Sequence, residues 1–330
     1  MNNITVLIIS HDRPEFLKEN LFSLMKFNAN IFVVINGFNE QTVTFLTSTK
    51  KQYDNLDFIL FEKQTNKSQA RNIGVEKIKS EIIYFLDDDV FIDKNNIEIL
   101  QKKFLEYPFA EIIGGPNINP PLSSRFQKLS GILLSTYLMS YKMNARYFAK
   151  GIDRFSDDTE LILCNLAIKK NVFIKHNLKF NELLHYNEEN LLLEQLKKFN
   201  TAMLYSPELI VYHHRRANLK SFLEQIYNSG KGRAVMSVIM PSSIKIFFLF
   251  PTFFLIYIMC VIFNKMTFVL LNVYFLITLY NVISTYFIHK LKLLDITIMF
   301  ALSILAHLTY GFGFMVGLIK GIIWKTQKNF

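Results

Sequence analysis

Short apolar segments alternate with amphipathic ones along the first hundred residues of the chain. Ile4–Ile9, Ile31–Ile35 and Asp57–Phe61 are predicted strands, and each is followed by polar residues. The stretches between them, from about Glu15 to Phe27 and from about Gln41 to Tyr53, have the length and apolar spacing of helices. Strands that alternate with helices predict an α/β domain with a mostly parallel sheet.

A fourth predicted strand, Ile82–Leu86, carries the first candidate chemistry. Its apolar run is typical of a strand buried on both faces, and it is followed by Asp87, Asp88 and Asp89. Open α/β sheets bind ligands at the carboxyl ends of their strands. Because adjacent carboxylates repel one another and hard cations prefer their oxygens, the cluster predicts a divalent cation that carries a diphosphate. The alternative is an acidic loop that caps the next helix.

A second polar cluster precedes this strand. The segment Thr65–Gly74 predicts a helix that begins near Ser68. The free amides and dipole of such a helix start favour an anion, and Lys67 and Arg71 add positive charge. The alternative is an ordinary capped helix on the surface.

Four motifs follow one another along the chain: Ser10–Pro14, Asn36–Gly37, Ala70–Gly74 and Phe85–Asp89. In this order they resemble the motifs of the family-2 glycosyltransferases, which have the GT-A fold. The resemblance implies a Rossmann-like, mostly parallel sheet flanked by helices. It also implies a nucleoside-diphosphate sugar as donor and Mg²⁺ or Mn²⁺ as cofactor.

The same resemblance assigns candidate site residues. The implied metal ligands are Asp89, Asp87 and His213. The implied base is Glu189 or Glu188, and the implied contacts of the nucleotide sugar are Ser10, His11, Arg13, Asn36, Asn66, Lys67, Arg71, Asp87, Asp88 and Asn165. His213 directly follows the predicted strand Tyr205–Tyr212, and a structural role is the alternative.

Two positions depart from the family pattern. Glu189 stands where the family usually has Asp, and its extra methylene changes the reach of the carboxylate, so the choice between Glu188 and Glu189 stays open. Both acids would also complement the dipole of the predicted helix Asn190–Phe199 without any catalytic role. Ile35 stands where the family usually has Asp. A catalytically inactive scaffold is therefore an alternative.

The last third of the chain is strongly apolar. Residues 246–263, 267–288 and 296–319 contain no Asp, Glu, Lys or Arg, and each segment is long enough to cross a hydrocarbon core of about 30 Å. Glycines leave open that the third segment bends or re-enters the membrane. The predicted organisation is a catalytic domain over 1–218, an amphipathic interfacial connector over 219–245, and a membrane domain with two or three spans over 246–330.

Charge and cysteine content narrow the possible partners. The net charge is +10, but the Lys and Arg residues are scattered, so we expect contact with membrane lipids and no nucleic acid. Cys164 and Cys260 are the only cysteines, which excludes a disulfide framework. The first apolar run is too short for a signal-peptide core. We therefore expect an integral protein of a prokaryotic plasma membrane with a cytoplasmic catalytic domain.

The expected reaction is transfer of one sugar, with inversion, to a hydroxyl of a membrane-associated acceptor in cell-surface glycan assembly. The acceptor would be a lipid-linked or other glycan. One alternative is a processive polysaccharide synthase or transporter. The Gln-x-x-Arg-Trp element typical of processive relatives is absent, because the only tryptophan is Trp324. A nucleotidyltransferase is disfavoured because no Gly-rich phosphate loop follows the first strand.

Overall fold

The computed structural model describes residues 3–264 and 268–328. The chain forms two compact units. The first comprises residues 1–120 and 145–214, and the second comprises residues 121–144 and 215–330.

The first unit contains two sheets. Its strands are β1 (Ile4–Ser10), β2 (Asn30–Asn36), β3 (Leu56–Phe61), β4 (Ile82–Asp87), β5 (Val90–Phe91), β6 (Ile112–Gly114), β7 (Asn117–Ile118), β8 (Arg154–Phe155), β9 (Asn165–Lys169), β10 (Met203–Tyr205) and β11 (Val211–His213). The large sheet has the order β3-β2-β1-β4-β9-β6-β10-β8, and the small sheet has the order β5-β11-β7. In the large sheet only β9 and β8 run against the other strands. The predicted mostly parallel α/β fold is confirmed.

Helices surround the large sheet and build the second unit. Those of the first unit are α1 (Pro14–Met25), α2 (Glu40–Lys50), α3 (Lys67–Lys77), α4 (Asn96–Glu106), α7 (Lys170–Lys175) and α8 (Glu188–Lys197). Those of the second unit are α5 (Arg125–Leu134), α6 (Tyr137–Ser140), α9 (Leu219–Ile239), α10 (Phe250–Asn264), α11 (Val269–His289) and α12 (Leu293–Lys328). Short 3₁₀ helices cover Tyr141–Arg146, Pro241–Ser243 and Ile246–Phe248.

The core lies on both faces of the large sheet because successive side chains of a strand point to opposite faces. Val6 and Ile8 of β1 pack with Leu17 and Leu21 of α1 in one cluster. Leu7, between them in sequence, packs in the other cluster with residues of α3 and α8. A strand with both faces covered reads as a continuous apolar run, which is why the central strands were predictable.

The parallel register aligns the ends of the central strands. Ile9 of β1 lies opposite Asp87 of β4, and Ser10 lies opposite Ile35 of β2. Asn36, the last residue of β2, therefore ends at the same edge of the sheet. The polar residues that follow these strands are brought together along this edge.

One strand prediction was wrong, and a second is one residue shorter than the observed strand. The predicted strand Tyr205–Tyr212 is two short strands, β10 and β11, which belong to different sheets. Pro207 lies in the turn between them and has no amide hydrogen for a sheet. The predicted strand Ile82–Leu86 is β4, which includes one further residue, Asp87; Asp88 and Asp89 form a turn before β5.

The second unit contains the predicted membrane segments. Two of its helices, Val269–His289 and Leu293–Gln327, are long and apolar enough to cross a membrane, whereas the apolar helix Ile246–Ile262 is shorter. The predicted span 267–288 begins at Thr267, which lies outside the described residues. The third predicted span belongs to one continuous helix, α12. The two long helices indicate association with a membrane.

The predicted connector over 219–245 packs directly on α12. A Cβ atom added at Gly313 would overlap the carbonyl oxygen of Tyr227, and one at Gly317 would overlap that of Lys231. Gly230 of α9 is equally close to the backbone of Tyr310. Small residues of this kind let two helix backbones approach closely, so α9 is part of the second unit's helical packing.

Candidate active site

The first part of the site is the acidic turn after β4. Ser10, at the end of β1, donates a hydrogen bond from Oγ to Oδ2 of Asp88 at 3.1 Å. The guanidinium of Arg13 lies 2.6 Å from Oδ2 of Asp89 and 3.5 Å from Oδ1 of Asp88. Pro14, in the first turn of α1, ends the polar loop that carries Arg13. This loop therefore places one positive charge against two buried carboxylates.

Burial and the neighbouring carboxylates both act on the ionisation of Asp88 in the acidic turn. Burial raises the pKa of Asp88 to about 7, and the charges of Asp89 and Asp87 add to the shift. The positive charges of Arg13 and Lys67 act in the opposite direction but do not cancel it. A cation bound at this turn would favour the ionised form of Asp88.

His213 is brought to the same turn by the small sheet. It lies opposite Val90 in the antiparallel pair of β11 and β5. Its Nε2 lies 3.2 Å from Oδ1 of Asp89, and its Nδ1 lies 3.4 Å from Oδ1 of Asn117. The backbone amide of His214 also donates to the carbonyl oxygen of Asp89 at 3.0 Å. A histidine distant in sequence thus contacts the last of the three aspartates.

The residues predicted to bind a metal fit a divalent cation in their chemistry. Asp87 and Asp89 offer carboxylate oxygens and His213 offers an imidazole nitrogen, a set compatible with Mn²⁺. Asp87 is the most open of them, with 40% of its side chain exposed. Within residues 3–264 and 268–328, no three His, Cys, Asp or Glu side chains converge in a metal-binding arrangement. Here the positive charge beside Asp89 comes from Arg13.

The second part of the site is a buried ion pair between α3 and α8. Nη1 of Arg71 pairs with Oε1 of Glu188, and both side chains are 7% exposed. Nη2 of Arg71 lies 3.6 Å from Oδ1 of Asp87. Burial alone would lower the pKa of Arg71, but Glu188 and Asp87 outweigh it and raise the pKa. Arg71 therefore stays charged and connects the acidic turn to the start of α8.

The loop before α8 is fixed to α3. Oδ1 of Asn72 accepts a hydrogen bond from the backbone amide of Phe180 at 2.9 Å. Nδ2 of Asn72 donates to the carbonyl oxygen of Phe180 at 3.0 Å. Asn66 caps α3 by accepting from the amide of Ser68, and its Nδ2 donates to the carbonyl oxygen of Glu182 at 2.7 Å. Asn66 thus serves both the helix start and the loop.

The two candidate bases have different surroundings. Glu188 is buried and paired with Arg71. Glu189 is half-buried, and its Oε1 accepts a hydrogen bond from Nδ2 of Asn190 at 2.9 Å. Burial and the charge of Glu188 raise the pKa of Glu189, while Arg146 and Arg71 oppose the shift. Glu189 therefore combines partial exposure with a raised proton affinity.

Other predicted site residues connect the strand ends. Oδ1 of Asn36 accepts from the amide of Thr65 at 2.8 Å, and its Nδ2 donates to the carbonyl oxygen of Thr65 at 3.0 Å. Nδ1 of His11 lies 2.7 Å from the carbonyl oxygen of Asn36. Lys67 is exposed at the first position of α3. These side chains lie along the edge where the acidic turn is located.

The side-chain amide of Asn165 is engaged by other protein groups. Its side chain is fully buried, and its Oδ1 accepts from the hydroxyl of Tyr84 at 2.7 Å. Its Nδ2 donates to the carbonyl oxygens of Pro116 and Leu209, at 3.0 and 2.6 Å. Because the amide is occupied by protein groups, we assign Asn165 to holding the strands together, in place of the predicted ligand contact.

Sequence reasoning missed Arg146 and Asn190, which are both buried next to the start of α8. Arg146 lies in a segment without a recognisable motif, and nothing in the sequence marks it. Asn190 directly follows the two glutamates in the sequence. An amide next to a candidate base could have been predicted to hydrogen-bond to it.

Comparison with known proteins identifies the family. The family model described as "Glycosyl transferase family 2" matches residues 5–176, just over half of the chain. The chain belongs to glycosyl transferase family 2. The predicted family is confirmed, and the chain is a family-2 glycosyltransferase.

Relatives of this glycosyltransferase include an enzyme of a cell-envelope polymer. The chain is 24% identical over 205 residues to a teichoic acid poly(glycerol phosphate) polymerase of Staphylococcus epidermidis. The match covers 61% of this chain and 27% of the relative. The chain thus spans about a quarter of the length of the curated relative it matches.

Solved structures share the fold of this glycosyltransferase. A mannosyltransferase from Pyrobaculum calidifontis, in complex with GDP-Man and Mn²⁺, has a TM-score of 0.53 and 10% identity, over 74% of this chain and 65% of that one. TarS of S. aureus has a TM-score of 0.50 and 13% identity, over 72% of this chain and 40% of that one. The predicted GT-A fold is confirmed.

Proposed function

We propose that this family-2 glycosyltransferase moves a single sugar from a nucleoside-diphosphate sugar to a hydroxyl of a membrane-associated, lipid-linked acceptor. The reaction would be metal-dependent, would invert the anomeric carbon, and would serve the assembly of a cell-envelope polymer. The observation that carries the proposal is the position of Arg71, which contacts Asp87 on one side and Glu188 on the other. A donor-binding acidic turn and a glutamate pair are thereby held at one edge of the sheet.

The donor side of the proposal rests on the acidic turn. Asp87, Asp89 and His213 would hold Mg²⁺ or Mn²⁺, which, when bound, neutralises charge on the departing diphosphate. Arg13 contacts Asp89 in the described structure and would be free to approach the donor's phosphates when a cation replaces it. Support for a divalent ion comes from the mannosyltransferase neighbour, whose structure contains Mn²⁺.

We assign the base to Glu189. A general base must be reachable by the acceptor and must be able to take up a proton. Glu188 is buried and its Oε1 is engaged by Arg71, so it is not open to an acceptor. Glu189 is half-buried and its pKa is raised by burial and by Glu188. As the sugar bond breaks, Glu189 would take the proton of the acceptor hydroxyl on the side opposite the diphosphate, so inversion is expected.

The membrane helices support a lipid-linked acceptor. Two apolar helices would hold the enzyme in the membrane, where an acceptor carrying a lipid is concentrated. A nucleotide sugar is soluble, so the catalytic unit would face the cytoplasm and the membrane would be the plasma membrane. The teichoic acid polymerase relative supports an acceptor from a cell-envelope polymer.

A donor screen tests the proposal. Purified full-length protein in detergent, supplied with a lipid extract, would be incubated with a panel of nucleoside-diphosphate sugars, and release of nucleoside diphosphate would be measured with and without a chelator. We expect one donor to be turned over only when divalent cation and lipid extract are both present. Formation of nucleotide sugar from sugar phosphate, or no turnover of any donor, would contradict the proposal.

A second candidate function is polymerisation, which the name of the poly(glycerol phosphate) polymerase relative favours. The length of the product separates the two functions. A single added sugar per acceptor supports the first proposal, whereas a ladder of products that grows with time supports a polymerase.

A further inference from the structure

The side-chain amide of Asn190 has one possible orientation. Its Oδ1 lies 2.7 Å from Nη2 of Arg146. A guanidinium has only donors, so this atom of Asn190 must be the oxygen. The nitrogen of the same amide is then directed at Oε1 of Glu189 at 2.9 Å and at Oδ1 of Asn187 at 3.2 Å. Arg146 thus determines that Asn190 presents a donor to Glu189.

Arg146 is itself held in place. Its Nε donates to the carbonyl oxygen of Thr159 at 2.9 Å, and its Nη2 donates to that of Asp158. The side chains of Arg146 and Asn190 are buried, with whole-residue exposures of 5% and 0%. Burying a guanidinium is costly unless its donors are used, so this arrangement has little freedom to rearrange. It provides a fixed support beside the start of α8.

We propose that Arg146 and Asn190 are positioning residues for Glu189, which they orient and keep able to ionise. This inference rests on the proposed function, in which Glu189 is the base. The hydrogen bond from Asn190 to Oε1 of Glu189 restricts the rotation of the carboxylate. A base must be held close to the proton that it accepts, so a free rotation of this carboxylate would slow the transfer.

The charge of Arg146 and the hydrogen bond from Asn190 also favour the ionised form of Glu189, which a base needs. Burial and the charge of Glu188 favour the protonated form of Glu189, whereas Arg146, a hydrogen bond from the backbone of Glu189 itself and Arg71 favour the carboxylate. Asn190 adds a hydrogen bond to the ionised form, which also favours it. Without Arg146 and Asn190, Glu189 would hold its proton to a higher pH.

The test measures Glu189 directly in the full-length protein, without any substrate. Protein labelled with ¹³C at the glutamate carboxyl carbons would be titrated by NMR in detergent, and Glu189→Gln would identify the signal. We expect Asn190→Ala and Arg146→Met each to raise the pKa of Glu189 by about one pH unit. Arg154→Met is the matched control, because Arg154 is an arginine of the same unit that pairs with Glu160. It should leave Glu189 unchanged.

A conservative variant keeps the test informative if Arg146→Met fails to fold. Arg146→Lys keeps the positive charge but loses the forked contact, and it should raise the pKa of Glu189 less than Arg146→Met does. An unchanged titration of Glu189 in folded Asn190→Ala and Arg146→Met, or a shift equal to that of Arg154→Met, would overturn the proposal.

Kinetics with the donor identified by the screen provide a second readout. In Asn190→Ala, kcat should fall about tenfold or more with little change in the KM for nucleotide sugar, and the acidic limb of the pH profile should move with the NMR pKa. If the NMR pKa shifts as expected while Glu189→Gln still transfers sugar, Arg146 and Asn190 control the ionisation of Glu189, but Glu189 is not the base and their positioning role in catalysis is overturned.

Discussion

Arg71 and Glu188 form a buried ion pair although they lie on two helices far apart in the sequence. Arg71 also lies near Asp87 at the end of β4. The pair therefore joins the part of the site that would hold the donor to the part that would activate the acceptor. It also distinguishes the two neighbouring glutamates, since only one of them is bound by a guanidinium.

The ion pair leads to a stability prediction. Glu188→Gln alone leaves the buried charge of Arg71 without its main partner, and breaking a buried pair costs about 3–5 kcal/mol. Arg71→Met alone should cost a similar amount. The double variant should regain most of the lost stability, because replacing a buried ion pair by uncharged groups is often neutral. Thermal unfolding of the four proteins in detergent measures this, and additive losses in the double variant would contradict it.

The two glutamates should differ in their effect on turnover. Glu189→Gln should lower kcat by about 100-fold or more while nucleotide binding is kept, because it removes the general base. Because the base acts as the carboxylate, turnover should rise with pH as Glu189 loses its proton. Since the pKa of Glu189 is raised, this rise should occur above the ordinary pH range of a glutamate. Kinetics between pH 4 and pH 9 check both points. A larger kcat loss in folded Glu188→Gln than in Glu189→Gln would reverse the assignment.

Asp88 should make stability depend on pH. Its pKa is about 7 in the folded protein, against about 3.9 in an unfolded chain. A raised folded pKa contributes stability below pH 4 that is lost as the pH rises through 7. In the presence of a chelator, Asp88→Asn should therefore become more stable than the unchanged protein as the pH rises from 4 to 8, by on the order of 2 kcal/mol. Melting curves of both proteins across this range test it. A stability difference that stays constant with pH would rule out the raised pKa.

The packing of α9 on α12 should be sensitive to glycine substitution. Gly313→Leu places a side chain where the carbonyl of Tyr227 lies, so the helices must separate. Ala301→Leu is the control on the same helix, because Ala301 is exposed. We expect a loss of several degrees in the melting temperature for Gly313→Leu and little change for Ala301→Leu. Equal melting temperatures would show that this contact does not stabilise the second unit.

Much of the first unit was predictable because its central strands are buried on both faces. β1, β2 and β4 are continuous apolar runs, and the polar residues that follow them end at one edge. Short strands were less predictable, because β10 and β11 owe their positions to partners distant in sequence. A run such as Tyr205–Tyr212 has strand composition whether it forms one strand or two.

The site was predictable in its residue types but not in the direction of its side chains. The motif order placed Asp87 and Arg71 together, yet it could not show that the amide of Asn165 turns into the core. The difference between Glu188 and Glu189 depends on which carboxylate Arg71 reaches, and adjacent helical positions look alike in a sequence. The role of Arg146 could not be predicted either, because only the folded chain brings it next to α8.

Transfer of labelled sugar into lipid is the most direct test of the central claim. Membranes containing equal amounts of the unchanged protein, Asp89→Asn or Glu189→Gln would receive the labelled donor, and the label in the lipid extract would be counted. The account predicts label in lipid for the unchanged protein and about 100-fold less for each variant. Equal labelling by all three proteins would contradict it.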